Sequence, residues 1–362
     1  MEFCKMELAK ESNNIKKQTN SRSIGKIVAL TILLIFVCLT AITIGPADIT
    51  LNQTWRIILS QVPVLGESIT LDDVRISQQT IVLQIRLPRV LLAALVGIAL
   101  ATVGATFQGL LKNPMADPYI IGVSSGAALG ATIAIVTGLS AAAGYLAVPW
   151  MAFAGALIST YTVYNIARVG NRVPVYTLLL AGVALSAFMS AIMSFLMVLN
   201  SKEMQQVVFW LLGSFSARNW GHVQAAAPLI IIGVVIINCF ARDLNIMLFG
   251  DHTAQHLGID AEKTKKLLLT LGAFTAAAAV SVSGTIGFVG LIVPHGVRLV
   301  VGPDHRSLMP ISALVGGIFM VVTDTFARTF LGSVEIPVGI ITAMLGGPFF
   351  IYLLKRKQRD EF

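Results

Sequence analysis

Asp324 and Arg328 stand four residues apart inside an apolar run. On a helix this spacing puts carboxylate and guanidinium on one face, one turn apart. An acid within such a run is what a proton relay needs, and the same spacing also makes a structural ion pair. The remaining acidic residues fall between apolar runs, which weakens the case for ion coupling. Arg86 and Arg89 precede another apolar run, and Glu335 follows Arg328 closely. Guanidinium groups so placed can grip carboxylates of an incoming protein and steer its approach. They can equally anchor at the membrane interface or pair with Asp324 and Glu335, and the residues alone leave both readings open.

Catalytic chemistry is not encoded. No Gly-x4-Gly-Lys-Ser/Thr phosphate loop occurs, since Gly25-Lys26 lacks the earlier glycine and the following hydroxyl. The five histidines are scattered, and Cys4, Cys38 and Cys239 lie in the N-terminal tail or inside apolar runs, with no metal-ligand spacing. The chain is expected to bind no cofactor or metal and not to be an enzyme. If it moves solute uphill, ATP and Mg act in another chain, or an ion gradient drives it.

A third group lies between apolar runs, over 244–258. Met247, Leu248, Ala254 and Leu257 offer apolar contacts, Asp251 a charge, and Gly250 and Gly258 punctuate short helical pieces. A plain connector would not need that much apolar area. The segment reads as a docking surface for a partner.

The elements that position these groups are membrane helices. Of 362 residues, 56% are hydrophobic and 12% charged, with a mean hydropathy of +0.81. Soluble domains carry about twice that charged fraction. Apolar runs predict about ten transmembrane helices: 27–47, 90–111, 120–138, 146–167, 175–198, 222–241, 267–283, 288–300, 308–327 and 337–354. Residues 48–85 read as a long polar segment with a short amphipathic piece near Trp55–Leu59, and 204–217 is apolar but too short to cross. Residues 1–26 read as a disordered basic tail and 355–362 as a second tail. Pro114 and Pro118 break the chain after the second run, and Ser283-Gly-Thr-Ile-Gly287 breaks the seventh.

Net charge is +8, but its distribution speaks of lipid rather than nucleic acid. The basic residues concentrate in the tail, at Lys112, Arg168 and Arg172, over 242–266, at Arg298 and Arg306, and at the C-terminus. By the positive-inside rule this places both termini in the cytoplasm of a multi-pass protein. Helices 2–5 and 7–10 then start from opposite sides, as an inverted repeat would.

Several strings resemble a known family. They are Arg86-Leu-Pro-Arg89, Gln108 through Asn113-Pro-Met-Ala-Asp-Pro-Tyr119 to Gly122-Val-Ser-Ser-Gly126, Gly287-Phe-Val-Gly-Leu-Ile-Val-Pro-His295, and Glu335-Ile-Pro-Val-Gly-Ile-Ile-Thr342 through Pro348. Together they are similar to the FecCD-type permease subunits of ABC importers for iron–siderophore complexes and cobalamin. The resemblance implies a ten-helix subunit in a bacterial cell membrane, paired with a second permease subunit as homo- or heterodimer. Two ATPase subunits and an extracytoplasmic siderophore-binding protein complete the implied assembly. It further implies that Arg86, Arg89 and Arg328 meet carboxylates of the binding protein. By the same resemblance 244–258 enters the ATPase cleft, and Val175 and Tyr176 narrow an inner gate. Ferric siderophore is the expected cargo; cobalamin or haem import and an ion-coupled secondary transporter are the alternatives.

Overall fold

The computed structural model describes residues 24–45, 47, 49–61, 70–170, 173–332 and 334–360; most of the expected basic tail, and Arg172, lie outside these. The described residues form an all-α membrane protein. Helices α1 (Ile24–Thr43) and the amphipathic α2 (Leu51–Leu59) lead into α3 (Ile76–Leu110). Next come α4 (Val123–Val136), α5 (Leu139–Ala143), α6 (Ala147–Ala167), α7 (Val175–Leu199), α8 (Met204–Leu211) and α9 (Trp220–Cys239). The chain ends with α10 (Ala241–Met247), α11 (Asp251–His256), α12 (Ala261–Ser283), α13 (Val289–Val301), α14 (His305–Thr329) and α15 (Val338–Asp360). Among these, α1, α3, α7, α9, α12 and α14 are long and apolar enough to cross a membrane. Helix α15 extends beyond its apolar run into residues expected as a tail.

The long polar segment is partly helical, because α3 begins well before its apolar run. Ser77, Gln78, Gln79 and Thr80 form exposed or half-buried first turns. Pro88 would clash with the carbonyl four residues back in a regular helix. A π-helical stretch over Ile81–Arg86, where the Leu87 N–H reaches back to the Val82 carbonyl, widens the coil just before it. From there α3 runs through the centre of the bundle, its apolar stretch 83% buried.

Small residues let backbones touch at the helix crossings. Gly97 of α3 faces Gly316 of α14, Gly104 faces Gly290 of α13, and Gly126 of α4 faces Gly155 of α6. Without a hydrophobic drive between helices in lipid, such close van der Waals packing supplies much of the association.

The packing pattern repeats between the two sets of four helices. Helix α3 packs on α14 as α12 packs on α6, and α4 packs on α6 as α13 packs on α14. Likewise α3 meets α13 as α12 meets α4, while α3 and α12 meet each other. An inverted repeat produces such a correspondence.

The two chain breaks also correspond. Lys112 (φ 49°) and Gly122 (φ 83°) bound the first; Gly284 (φ 72°) and Phe288 (φ 69°) bound the second. They touch: the Tyr119 hydroxyl donates to the Ile286 carbonyl at 2.7 Å and accepts from the Ile286 N–H at 3.1 Å. The Gln108 side-chain amide donates to the Gly290 and Leu291 carbonyls at 3.2 and 3.3 Å. Irregular backbone inside the bundle is thereby satisfied by protein rather than by water.

Candidate functional site

The candidate side chains gather at opposite ends of the bundle. At one end the π-helical turn points Arg86 inward, where it is 3% exposed. Its guanidinium donates to the carbonyls of Ile42, Thr43 and Ala47 at 3.0, 3.0 and 2.8 Å. Those oxygens belong to the end of α1 and the chain just after it, where helical partners run out. Gly45 lies flat on this guanidinium, since a Cβ there would sit 2.7 Å from one of its nitrogens. Arg328 donates to the carbonyl of Ala41, so two arginines staple α1 to α3 and α14.

Arg89 lies between two carboxylates. Its Nε and one terminal nitrogen donate to Asp324 at 2.9–3.2 Å, and the other terminal nitrogen donates to both Glu335 oxygens at 2.9 and 3.0 Å. The Asp324 side chain is 2% exposed and that of Glu335 is 42%. Of the pairings the sequence leaves open for Asp324, the structure takes the one with Arg89 of α3, while Arg328 on the next turn of α14 donates to the Ala41 carbonyl. The Arg89–Asp324 contact has the geometry of a structural ion pair.

At the other end, 244–258 folds as α10, a turn and α11. Met247 and Ala254 are buried and hold the segment to the bundle, so the apolar surface left outward is Leu248, Phe249 and Leu257. Phe249, 79% exposed, completes this surface, although spacing did not single it out. Gly250 (φ 113°) and Gly258 (φ 84°) take backbone conformations open to glycine and bracket α11. Asn245 accepts from the His305 N–H at 2.9 Å and donates to Asp304 at 2.6 Å, fixing α10 to the start of α14.

Asp251 fixes α11 to α12 through Lys265 at 2.6 Å and faces Lys112 at 3.8 Å. Burial opposes ionisation of this carboxyl. The hydrogen bond and charge of Lys265, with Lys112 and His252, outweigh it and hold Asp251 below the usual carboxylate value. A depressed folded-state pKa stabilises the contact above the value of an unfolded Asp, and this is lost as pH falls through the folded-state value. Protection factors of the amides over 244–258, corrected for intrinsic exchange, should therefore fall on acidification. Asp251→Asn should show the lowered protection already at neutral pH, and protection indifferent to both changes would refute the tie.

Val175 and Tyr176 open α7, 37% and 71% exposed, on the same end as Asp251. Helix α7 is apolar all round yet only 11% of its hydrophobic stretch is buried. An open cavity of about 540 Å³ lies beside the second chain break, lined by Leu211, Leu212, Thr285, Gly339, Ile340, Ala343 and Met344. It carries no charged side chain. The short apolar stretch after residue 204 turns back at Gly213 beside this cavity, the Ser214 N–H donating to the Ser283 carbonyl at 2.8 Å.

Comparison with known proteins matches this architecture. The FecCD transport family matches residues 32–356. The cobalamin import system permease protein BtuC of Halobacterium salinarum is 43% identical over 94% of this chain and 99% of its own length. The hemin transport system permease protein HmuU of Yersinia pestis is 41% identical over 77% of this chain and 84% of its own. The ferric dicitrate permease protein FecD of Escherichia coli is 37% identical over 77% and 86%. A solved chain, described as a metal-chelate type ABC transporter in an inward-facing conformation, superposes with a TM-score of 0.74 at 31% identity. That match covers 91% of this chain and 98% of the solved one. With a family match over residues 32–356 and a permease relative 43% identical over 94% of the chain, the chain belongs to the FecCD transport family and is the non-catalytic permease subunit of an ABC importer.

Proposed function

We propose that this chain forms one half of a passage for a large metal chelate, closed by a second permease subunit against α7 and α15. The observation that carries the reading is α7 itself: an apolar helix left almost uncovered by its own chain. A bulky chelate needs such a wide and weakly adhesive lining. Cargo within the class is weighted by the relatives. The Halobacterium protein named for cobalamin is 43% identical to this chain, while relatives named for hemin and for ferric dicitrate are 41% and 37% identical. Cobalamin is therefore the first cargo to test and ferric siderophore the second.

Both termini lie in the cytoplasm, and the Asp251 end faces the ATPase subunits. Leu248, Phe249 and Leu257 form the contact, and the ties of Asn245 to α14 and Asp251 to α12 pass its movement into the bundle. Val175 and Tyr176 stand at the inner mouth as a gate. At the outer end the buried guanidinia of Arg86, Arg89 and Arg328 outnumber the carboxylates of Asp324 and Glu335, and this net positive charge suits an acidic binding-protein surface. Glu335 covers the accessible side of Arg89, so a partner carboxylate gains the guanidinium by taking its place.

The test is uptake of labelled cobalamin, haem and ferric siderophore in a deletion strain carrying this chain with its partners. One cargo class should accumulate, and Phe249→Asp/Leu257→Asp should abolish uptake while the chain still reaches the membrane. Each lost apolar anchor is expected to weaken ATPase binding roughly thirtyfold. Undiminished co-purification of an ATPase with the double variant would overturn the docking surface, and accumulation of none of the three would overturn the cargo class.

A further inference from the structure

Two adjoining cavities open between α6 and α12 near the Asp251 end, of about 280 and 420 Å³. Both are bordered by Tyr164, Arg168, Leu178, Lys266 and Leu269. The larger continues away from that end along apolar walls that include Ile121, Leu157, Ala273 and Phe274. The smaller holds the charged mouth. There Asp260 is bound by Lys263 at 2.9 Å, and Glu262 by Lys265 at 3.3 Å. Arg168 and Lys266 have no carboxylate partner among the described residues. Arg168 uses its Nε on the Gly170 carbonyl at 2.8 Å, and the Lys266 ammonium stands 5.9 Å over the Tyr164 ring.

From this arrangement we infer a binding site for an anionic phospholipid of the leaflet at the Asp251 end. Arg168 and Lys266 take the phosphate, and one acyl chain lies along the apolar cavity. The charge pattern selects this occupant. Two uncommitted cations sit at the mouth of a groove whose interior is uncharged, and a basic pocket between membrane helices is where an anionic headgroup is held. Tyr164 and Tyr161, the latter 70% exposed, supply the aromatic edge that favours the headgroup boundary. A second copy of the chain fits poorly, because an isologous contact would set these cations against their own counterparts. The site straddles a seam, since α6 belongs to the first set of four helices and α12 to the second. A lipid seated there bridges the two repeats.

The full chain in nanodiscs of equal phosphatidylglycerol and phosphatidylcholine provides the test. Native mass spectrometry should find phosphatidylglycerol retained about tenfold over phosphatidylcholine. Arg168→Gln/Lys266→Gln, at two exposed positions, should reduce that ratio to near one with the melting temperature unchanged. An independent measurement is quenching of a Tyr161→Trp variant, above the parent, which brominated phosphatidylglycerol should exceed over brominated phosphatidylcholine. Equal retention of the two lipids, or a preference that survives the double variant, overturns the proposal. So does loss of the preference in millimolar inorganic phosphate, which would mark a site for the free anion. Self-cross-linking through Tyr161→Cys would assign the groove to a second copy and overturn it equally.

Discussion

Arg89→Ala is expected to destabilise the protein by about 3–5 kcal/mol, because it strands a buried carboxylate. Asp324 is 1% exposed, and Arg89 supplies three of the hydrogen bonds to it. The nearest remaining cation, Arg328, is engaged with the Ala41 carbonyl. The midpoint of thermal unfolding in detergent should fall by roughly 5–10 °C. Removing the acid as well, in Arg89→Ala/Asp324→Leu, should recover most of the loss, since no unpaired charge then remains inside. Glu335→Gln should cost less than about 1 kcal/mol, its side chain being 42% exposed and screened by water. If Glu335→Gln costs as much as Arg89→Ala, or the double variant costs the sum of its parts, the pair is not the clamp described.

That clamp also shows where sequence reading stops. Helix positions were legible because lipid demands long uncharged runs: the run over 146–167 coils as Ala147–Ala167, and that over 175–198 as Val175–Leu199. The two breaks were legible from Pro114, Pro118 and the Ser283–Gly287 string, since proline and clustered glycine interrupt a helix in any context. That Tyr119 would join the two breaks was not, because the contact spans 167 residues. The start of α3 was missed for a different reason. Ser77, Gln78, Gln79 and Thr80 are polar because that turn projects beyond the apolar run, so hydropathy alone does not mark it as helix. For Asp324 the sequence leaves both Arg328 and Arg89 open as partners, and packing of α14 on α3 decides for Arg89, 235 residues away. In the 244–258 segment composition identified the apolar side chains. Only the fold sorts them into the buried Met247 and Ala254 and the outward Leu248, Phe249 and Leu257.

Gly97→Leu should cost at least about 3 kcal/mol, at the upper end for overpacking, and should deplete folded protein in the membrane. A Cβ at Gly97 meets the carbonyl of Gly316, and one at Gly316 meets the carbonyl of Gly97. Backbone rather than a flexible side chain blocks the space, so α3 and α14 must part for any substituent to fit. Parting them also pulls Arg89 from Asp324, since each residue sits eight positions from its crossing glycine, toward the same end of the bundle. Double variants separate this account from a general intolerance of glycine replacement. Gly97→Ala and Gly316→Ala act at one crossing, so the second should add little once the first has opened it. Gly104→Ala acts about 10 Å farther along α3 and against Gly290 of α13. Its cost should add to that of Gly97→Ala within about 0.5 kcal/mol. Gly287→Ala has nothing within 4 Å of its new methyl group and should leave the thermal midpoint in place. Additive costs at Gly97 and Gly316, or an equal cost at Gly287, would mean that close helix crossing does not hold this bundle together.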